Sequence, residues 1–315
     1  MTLQKASTVS RKGRLATARN VLTRRWQLLA MFALPLAWYI IFCYVPMYGA
    51  QIAFRNFNPR LGYLASQWTG LKHFNRFFSS YNAWTVIWNT LSINLGALAI
   101  GFPAPILLAI LVNEIRNNHY KKTLQNITYI PYFLSVVVVV SMLKLFSHQQ
   151  YGVFNIILRS LGTGPIPFME SDRWFKPMYV LSNVWQNCGW NAIIYIAALA
   201  GIDPSLYEAA TIDGASRVQK IRHVSLPGIF PTIITLFILR IGHLMSIGFE
   251  KALLMQNTLN MASGEIISTL VYKIGIQQGD FSYAAAVGLM NSAANLALIF
   301  IANQVCRRAF KESLW

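Results

Sequence analysis

Apolar runs and short polar stretches alternate along the chain from residue 28 onward. A membrane-crossing helix needs about 20 mainly apolar residues. Runs of that kind occur at 28–48, 86–111, 127–146, 178–200, 228–249 and 282–305. The pattern therefore predicts an all-α integral membrane protein with six transmembrane helices. Pro35, Pro46, Pro103 and Pro105 fall inside the first two runs; membrane helices tolerate them because neighbouring groups satisfy the freed carbonyls. The first run has no small-residue cleavage site after it, so it reads as a retained anchor rather than a signal peptide. The chain shows no internal repeat, and no segment between runs is long enough for a separate soluble domain.

Composition agrees: 55% of the 315 residues are apolar and 12% are charged, against about 25% charged in soluble domains. Where the charges fall gives the orientation. The leader, residues 1–27, carries seven basic residues and no acidic one, and 112–126, 201–227 and the tail 306–315 carry three basic residues each. Sixteen basic residues thus lie on one side against nine on the other, which places both termini in the cytoplasm. The net charge of +17 is then topology information, and no nucleic-acid partner is expected. Cys43, Cys188 and Cys306 are far apart in sequence, which argues against a disulfide framework or a zinc site. On the external side, Trp68, Phe74, Phe77, Phe78 and Trp84 of segment 49–85 suit the membrane interface. Loop 147–177 reads as a turn at GTGPIP followed by a short polar stretch.

The polar island at 207–227, YEAATIDGASRVQKIRHVSLP, is the most informative loop. Asp203 can cap a helix with Pro204 at its first position, and Ser205 to Glu208 has capping-box spacing. The helix meets Gly214, a natural C-terminal stop. A basic amphipathic turn follows, with Val218, Ile221 and Val224 on one side and Arg217, Lys220 and Arg222 on the other, ending at Leu226-Pro227. A plain solvated loop is one reading. The other is a docking element, since two successive capped helices exceed what a linker needs and Ala209-Ala210 leaves a face small enough for close approach.

The pattern E-A-A-x-x-D-G-A, with V-x-L-P beginning nine positions after its last residue, resembles the signature of the permease subunits of ATP-binding-cassette (ABC) importers. It is carried here by Glu208, Ala209, Ala210, Asp213, Gly214 and Ala215, then Val224, Leu226 and Pro227. The segment WTGLKHF at 68–74, and the layout of one extra N-terminal span before a five-helix core, resemble the oligo- and polysaccharide subgroup, which includes the alginate importer. The resemblance covers essentially the whole chain. It implies a coupling helix seated in a groove on a cytoplasmic ATPase, with Glu208 facing a basic residue there. Ala209 and Ala210 would allow tight seating, and Gly214 would set the bend. It further implies a second, different permease chain, two ATP-binding subunits, an extracytoplasmic solute-binding protein, and a multi-pass position in the bacterial cytoplasmic (inner) membrane.

Energy has to come from such a partner. The chain has no G-x-x-x-x-G-K-[ST] to cradle phosphates, no H-E-x-x-H and no G-x-S-x-G, and its five histidines are scattered. It is expected to be a transport subunit rather than an enzyme, with no cofactor or metal of its own and with ATP and Mg on the partner ATPase. The substrate path should appear as polar residues on spans. Span four offers Asn183, Trp185, Gln186, Asn187, Trp190 and Asn191, span six Asn291 and Asn295, and span two Asn89, Ser92 and Asn94. Amides beside indoles suit a sugar's hydroxyls and C–H faces. Any single amide can equally be helix–helix glue, while the span-four cluster as a group favours the path. Ala284, Gly288 and Ser292 recur every four residues on span six, which reads as close packing, either internal or against the second permease.

Arg240, expected near the middle of span five with His243 one turn away, would draw in an anionic substrate or pair with a partner-subunit carboxylate. Lys144, near the outer end of span three, can snorkel outward. With nine basic and five acidic residues in the external segments, an acidic saccharide such as alginate is favoured over a neutral one. The alternatives are an ABC permease for another solute, a secondary transporter, and a membrane-embedded enzyme. A secondary transporter would show repeated halves and carboxylates inside spans, which the sequence lacks; an enzyme would need a convergent His, Asp or Ser set.

Overall fold

A computed structural model describes residues 26–246 and 248–310. All but the last two positions of the leader at 1–27, and residues 311–315 of the tail, lie outside the described residues. Helix α1 (Trp26–Tyr39) runs on through a π-turn at Ile40–Tyr44 and further turns to Phe54. The π-turn has a local cause. Pro46 has no N–H to give, and the Val45 N–H reaches back five residues to the Ile40 carbonyl. Helices α2 (Ala83–Gly101) and α3 (Pro103–Asn113) stack into the second span.

The third apolar run is not one helix. Helix α4 (Asn118–Tyr129) and a 3-10 turn at Ile130–Phe133 end at extended Leu134, and α5 (Val136–Phe146) leaves at 98°. Pro131 and Ser135 make the corner, because the Ser135 hydroxyl caps α5 by accepting the Val138 N–H at 3.3 Å. Helix α6 (Asp172–Ala200) is continuous and meets α7 (Pro204–Ile212) at 70°. The fifth run is shorter than expected at its outer end. Helix α8 (Leu226–Ile241) stops before turns at Gly242–Met245, and a separate helix α9 (Phe249–Met255) follows. Helix α10 (Phe281–Phe310) closes the fold. Among the described residues, four helices are long and apolar enough to cross a membrane, and six spans result if each bent pair counts as one.

Helix α6 is the central post. Its C-terminal half packs Ala192, Tyr195 and Leu199 on Ile106, Ala109 and Ile110 of α3 and on Ile229 of α8. Its N-terminal half packs Phe175, Met178 and Tyr179 with Ile93 of α2, Val140 of α5 and Met255 of α9. At Gly189 the α4 backbone comes so close that an added Cβ would fall on the Thr128 carbonyl. Residues 26–48 of the first span, by contrast, are exposed throughout. On α10, Ala284 packs on Gly275, but a Cβ at Gly288 would meet nothing and Ser292 is exposed. The small-residue stripe is internal only at its N-terminal end, at Ala284.

The segments at 49–85 and 147–177, expected on the external side, are more ordered than their polarity suggests. Strand β1 (Arg55–Asn56) pairs antiparallel with β2 (Gln67–Trp68), and this hairpin is tied to the start of α10. The Phe57 N–H donates to the Ser282 hydroxyl at 2.8 Å, and Arg76 pairs with Asp280 at 2.6 Å. Phe77, expected in the interfacial belt, is a core residue at 1% exposure, whereas Trp68, Phe78 and Trp84 are exposed. The 147–177 loop contains a helix at Val153–Ser160. Buried Asn155 gathers it by donating to the Ser147, His148 and Ile166 carbonyls and accepting from the Ile166 N–H.

Candidate functional site

The polar island folds into two short helices and carries the family-like motif. Pro204 fixes the start of α7, which makes Asp203 the cap. Its Oδ1 accepts the Ser205 N–H at 2.9 Å, and that bond holds the carboxyl below its ordinary pKa. The capping box expected at Ser205–Glu208 does not form, because a helix beginning at Pro204 puts Ser205 inside the first turn. The box forms later. The Ser216 N–H donates to Gln219 Oε1 at 2.7 Å, and the Gln219 N–H returns to the Ser216 hydroxyl. Between them Gly214 adopts φ 75°. Its N–H donates to the Thr211 carbonyl and the Ala215 N–H to the Ala210 carbonyl, a Schellman close that needs the left-handed conformation.

The expected end of the second helix at Leu226-Pro227 is also absent. Residues Ile221–Ser225 form a π-turn in which the Leu226 N–H reaches the Ile221 carbonyl. Pro227 is thereby absorbed, and the chain runs as one helix from Arg217 to Ile241. The two short helices are fastened together by the Tyr207 and Ser225 hydroxyls at 2.9 Å and by the Lys220 ammonium donating to the Thr211 hydroxyl at 2.8 Å. Sequence reasoning placed Lys220 on the basic side of the turn but missed Tyr207, Thr211 and Ser225. Their one signal was recurrence of hydroxyls in and beside the motif. Glu208, Ala209, Asp213, Gly214 and Pro227 are exposed, Ala210, Ala215 and Leu226 are half-buried, and no residue of α7 is buried. Ile212 at 87% and Val218 at 73% exposure present apolar surface beside Glu208.

The second site lies between α6, the corner of the third span and the break after α8. Asn183, Gln186, Asn187 and Arg240 line a cavity of about 750 Å³ together with Asn94 and Tyr132. Trp190 and Asn191 line an adjoining cavity of about 300 Å³ that shares Asn183, Asn187 and Arg240. Six of the ten expected path residues therefore converge. Asn187 donates to the Asn183 carbonyl and to its side-chain oxygen at 2.9 and 3.0 Å. Trp190 stacks on Tyr132 with ring centres 4.4 Å apart. Gln186 donates to the Leu134 carbonyl at 3.1 Å, one of the groups freed by the corner.

The other four do not join them. Trp185 lines an apolar pocket of about 440 Å³ with Met142, Phe146 and Leu181. Residues 183, 186, 187 and 190 share one helical face and 185 falls on another. His243 is exposed in the turn after α8 and lines neither cavity. Asn295 is glue: its carbonyl accepts the Met245 N–H and its amide donates to the Ser246 hydroxyl, both at 2.9 Å, which ties the break to α10. The Asn291 side-chain oxygen is buried without a partner among the described residues, away from the cavities. In span two, Asn89 is likewise structural, donating to the Ala262 and Glu265 carbonyls.

Arg240 is not mid-helix as expected. It sits in the last turn of α8, where the helix dipole favours a cation. It makes no ion pair among the described residues. Lys251 of α9, absent from the sequence-based set, also lines the large cavity. It is 4% exposed, and burial pushes its ammonium down to about 8.

Residues 101–311 match the protein family described as binding-protein-dependent transport system inner membrane component. The chain is 42% identical over 278 residues to the polygalacturonan/rhamnogalacturonan transport system permease protein YteP of Bacillus subtilis (strain 168), covering 88% of this chain and 87% of that one. It superposes with a TM-score of 0.86 on a chain of a bacterial ABC transporter involved in import of the acidic polysaccharide alginate. That chain is 37% identical, and the match covers 94% of this chain and 99% of that one. A second structure, bacterial alginate ABC transporter in complex with alginate pentasaccharide-bound periplasmic protein, gives a TM-score of 0.85 at 36% identity, covering 93% and 98%.

Proposed function

This chain belongs to the family of binding-protein-dependent transport system inner membrane components, and we infer from it and from the cavity that the cargo is an acidic oligo- or polysaccharide. The chain is a permease subunit of a carbohydrate ABC importer, a multi-pass protein of the bacterial inner membrane and a non-catalytic part of its transporter. The observation that carries the cargo is the composition of the cavity wall. Asn183 and Asn187 offer amides for hydroxyls, Trp190 and Tyr132 offer ring faces, and Arg240 adds a cation without an acidic partner among the described residues. A polyuronate has hydroxyls, C–H faces and carboxylates in that proportion. The 42% identical relative is named for polygalacturonan/rhamnogalacturonan and the 37% identical structure for the acidic polysaccharide alginate; polygalacturonan and alginate are polyuronates.

In this reading both termini are cytoplasmic, and α7 with the turn at Arg217–Lys220 is the coupling element. Glu208, Ala209, Ala210, Asp213, Gly214 and Ala215 seat in a groove of an ATP-binding subunit, while Leu226 and Pro227 carry its motion into α8. The exposed Ile212 and Val218 support a covered surface there. Two ATP-binding subunits bind the ATP and Mg, and this chain binds neither. A second, different permease chain completes the channel, which the fully exposed first span accommodates. An extracytoplasmic binding protein delivers the saccharide. The test is ATPase stimulation of the assembled complex by oligosaccharides presented on that binding protein. Galacturonate or mannuronate oligomers should stimulate and neutral oligomers of equal length should not. Equal or greater stimulation by neutral sugars would overturn the acidic cargo.

A further inference from the structure

The Lys251 ammonium is buried, and its Nζ has no hydrogen-bond partner among the described residues. The ammonium lies over the ring face of Tyr179, 5.5 Å from its centre. The neighbouring carboxylate, Glu250, is exposed and forms no ion pair with it. Burying a cation without a counter-charge is costly, and an apolar side chain of similar volume would serve packing better. A structural role therefore does not account for the lysine. Its position suggests one that does: it lines the cavity of about 750 Å³ whose wall also holds Arg240, Asn183 and Asn187. That volume lies within the range of small-ligand sites, about 300–1,000 Å³. Burial lowers the ammonium to about 8, so it remains mainly charged at neutral pH. The cavity wall thus holds two cations, Lys251 with its Nζ buried and Arg240 at a helix end, and one carboxylate, Glu250, which is ion-paired to neither among the described residues.

We propose that Lys251 is the carboxylate-binding residue of the translocation cavity, pairing with the carboxylate of one uronate unit while Arg240 and the Asn183–Asn187 amides hold its neighbours. The incoming carboxylate supplies the ion pair that Lys251 lacks among the described residues, so the site discriminates uronates from the corresponding neutral hexoses. This subsite rests on the acidic-saccharide reading above.

The test is equilibrium binding of labelled tetragalacturonate, and of its carboxyl-reduced neutral counterpart, to the assembled permease–ATPase complex without binding protein. Three forms are compared: wild type, Lys251→Met and Lys251→Arg. Methionine keeps the stem and removes the charge, so the melting temperature should stay level or rise while affinity for tetragalacturonate falls about tenfold or more. Arginine should keep affinity within about threefold, as expected for a retained ionic partner. The neutral sugar should bind all three forms alike. Unchanged tetragalacturonate affinity in Lys251→Met would overturn the subsite. So would dissociation of the two permease chains in that variant, because the ammonium would then serve their interface. Wild type that binds the neutral sugar as tightly as the acidic one would instead sink the cargo reading itself. If the methionine chain fails to fold or to insert in the membrane, Lys251→Gln supplies the uncharged arm with the same expected loss.

Discussion

Replacing Gly214 with asparagine, alanine or valine isolates the bend between the two short helices of the proposed coupling element. The residue sits at φ 75°, and a Cβ there would meet no atom within 4 Å. The whole cost is therefore conformational, with no clash added. An L-residue in the left-handed region costs about 1–2 kcal/mol. Asparagine is the most tolerant and a β-branched residue the least. A strained residue can escape by opening the Schellman close, giving up the Gly214-to-Thr211 and Ala215-to-Ala210 bonds. A cost of one to two kcal/mol shifts a two-state equilibrium by about 5- to 30-fold, enough to leave the bent geometry a minor state in the valine form. The assay is saccharide transported per ATP hydrolysed in proteoliposomes, with thermal melting as the control. Efficiency should fall in the order glycine, asparagine, alanine, valine, while the melting temperature moves little because the segment is exposed. Full efficiency in Gly214→Val would refute the claim that this bend transmits force.

Other expectations follow from single contacts. Gly189→Ala should destabilise the chain by about 1–3 kcal/mol in thermal or denaturant unfolding, because the obstructing atom is the Thr128 backbone carbonyl. Survival at wild-type stability would mean that the α4–α6 crossing is looser than described. Tyr207→Phe and Ser225→Ala each remove one partner of a single hydrogen bond. A double-mutant cycle on transport per ATP should give a coupling of about 0.5–1.5 kcal/mol, whereas simple additivity would detach that bond from the mechanism.

Long apolar runs marked the candidate spans, which among the described residues are four long apolar helices and two bent pairs, because length and hydropathy decide whether a helix can cross a bilayer. Hydropathy is blind to breaks that other elements pay for. The run through Val136–Val140 looks seamless, yet Ser135 caps a new helix there and Gln186, far away in sequence, satisfies the Leu134 carbonyl. Likewise the end of α8 before Gly242 depends on Asn295 of α10. The same blindness divided the expected path residues. Amides that repair backbone breaks and amides that face a cavity have one composition, and helical register separates them. Register could have set Trp185 apart from Asn183, Gln186, Asn187 and Trp190. Lys251 was illegible because its helix, FEKALLM, lies in a stretch that reads as an ordinary polar connection. The local structure of the polar island was legible in its Asp203 cap and in Gly214, apart from the position of the capping box and the helix passing unbroken through Pro227.

The most direct measurement places a single cysteine at Ala209, in a chain whose Cys43, Cys188 and Cys306 have been replaced, and cross-links it in the assembled transporter. The account predicts a specific adduct with an ATP-binding subunit, formed in inside-out vesicles and altered in yield when nucleotide is bound. Reaction only from the external side, or a cysteine that labels freely and never joins the ATP-binding subunit, would contradict it.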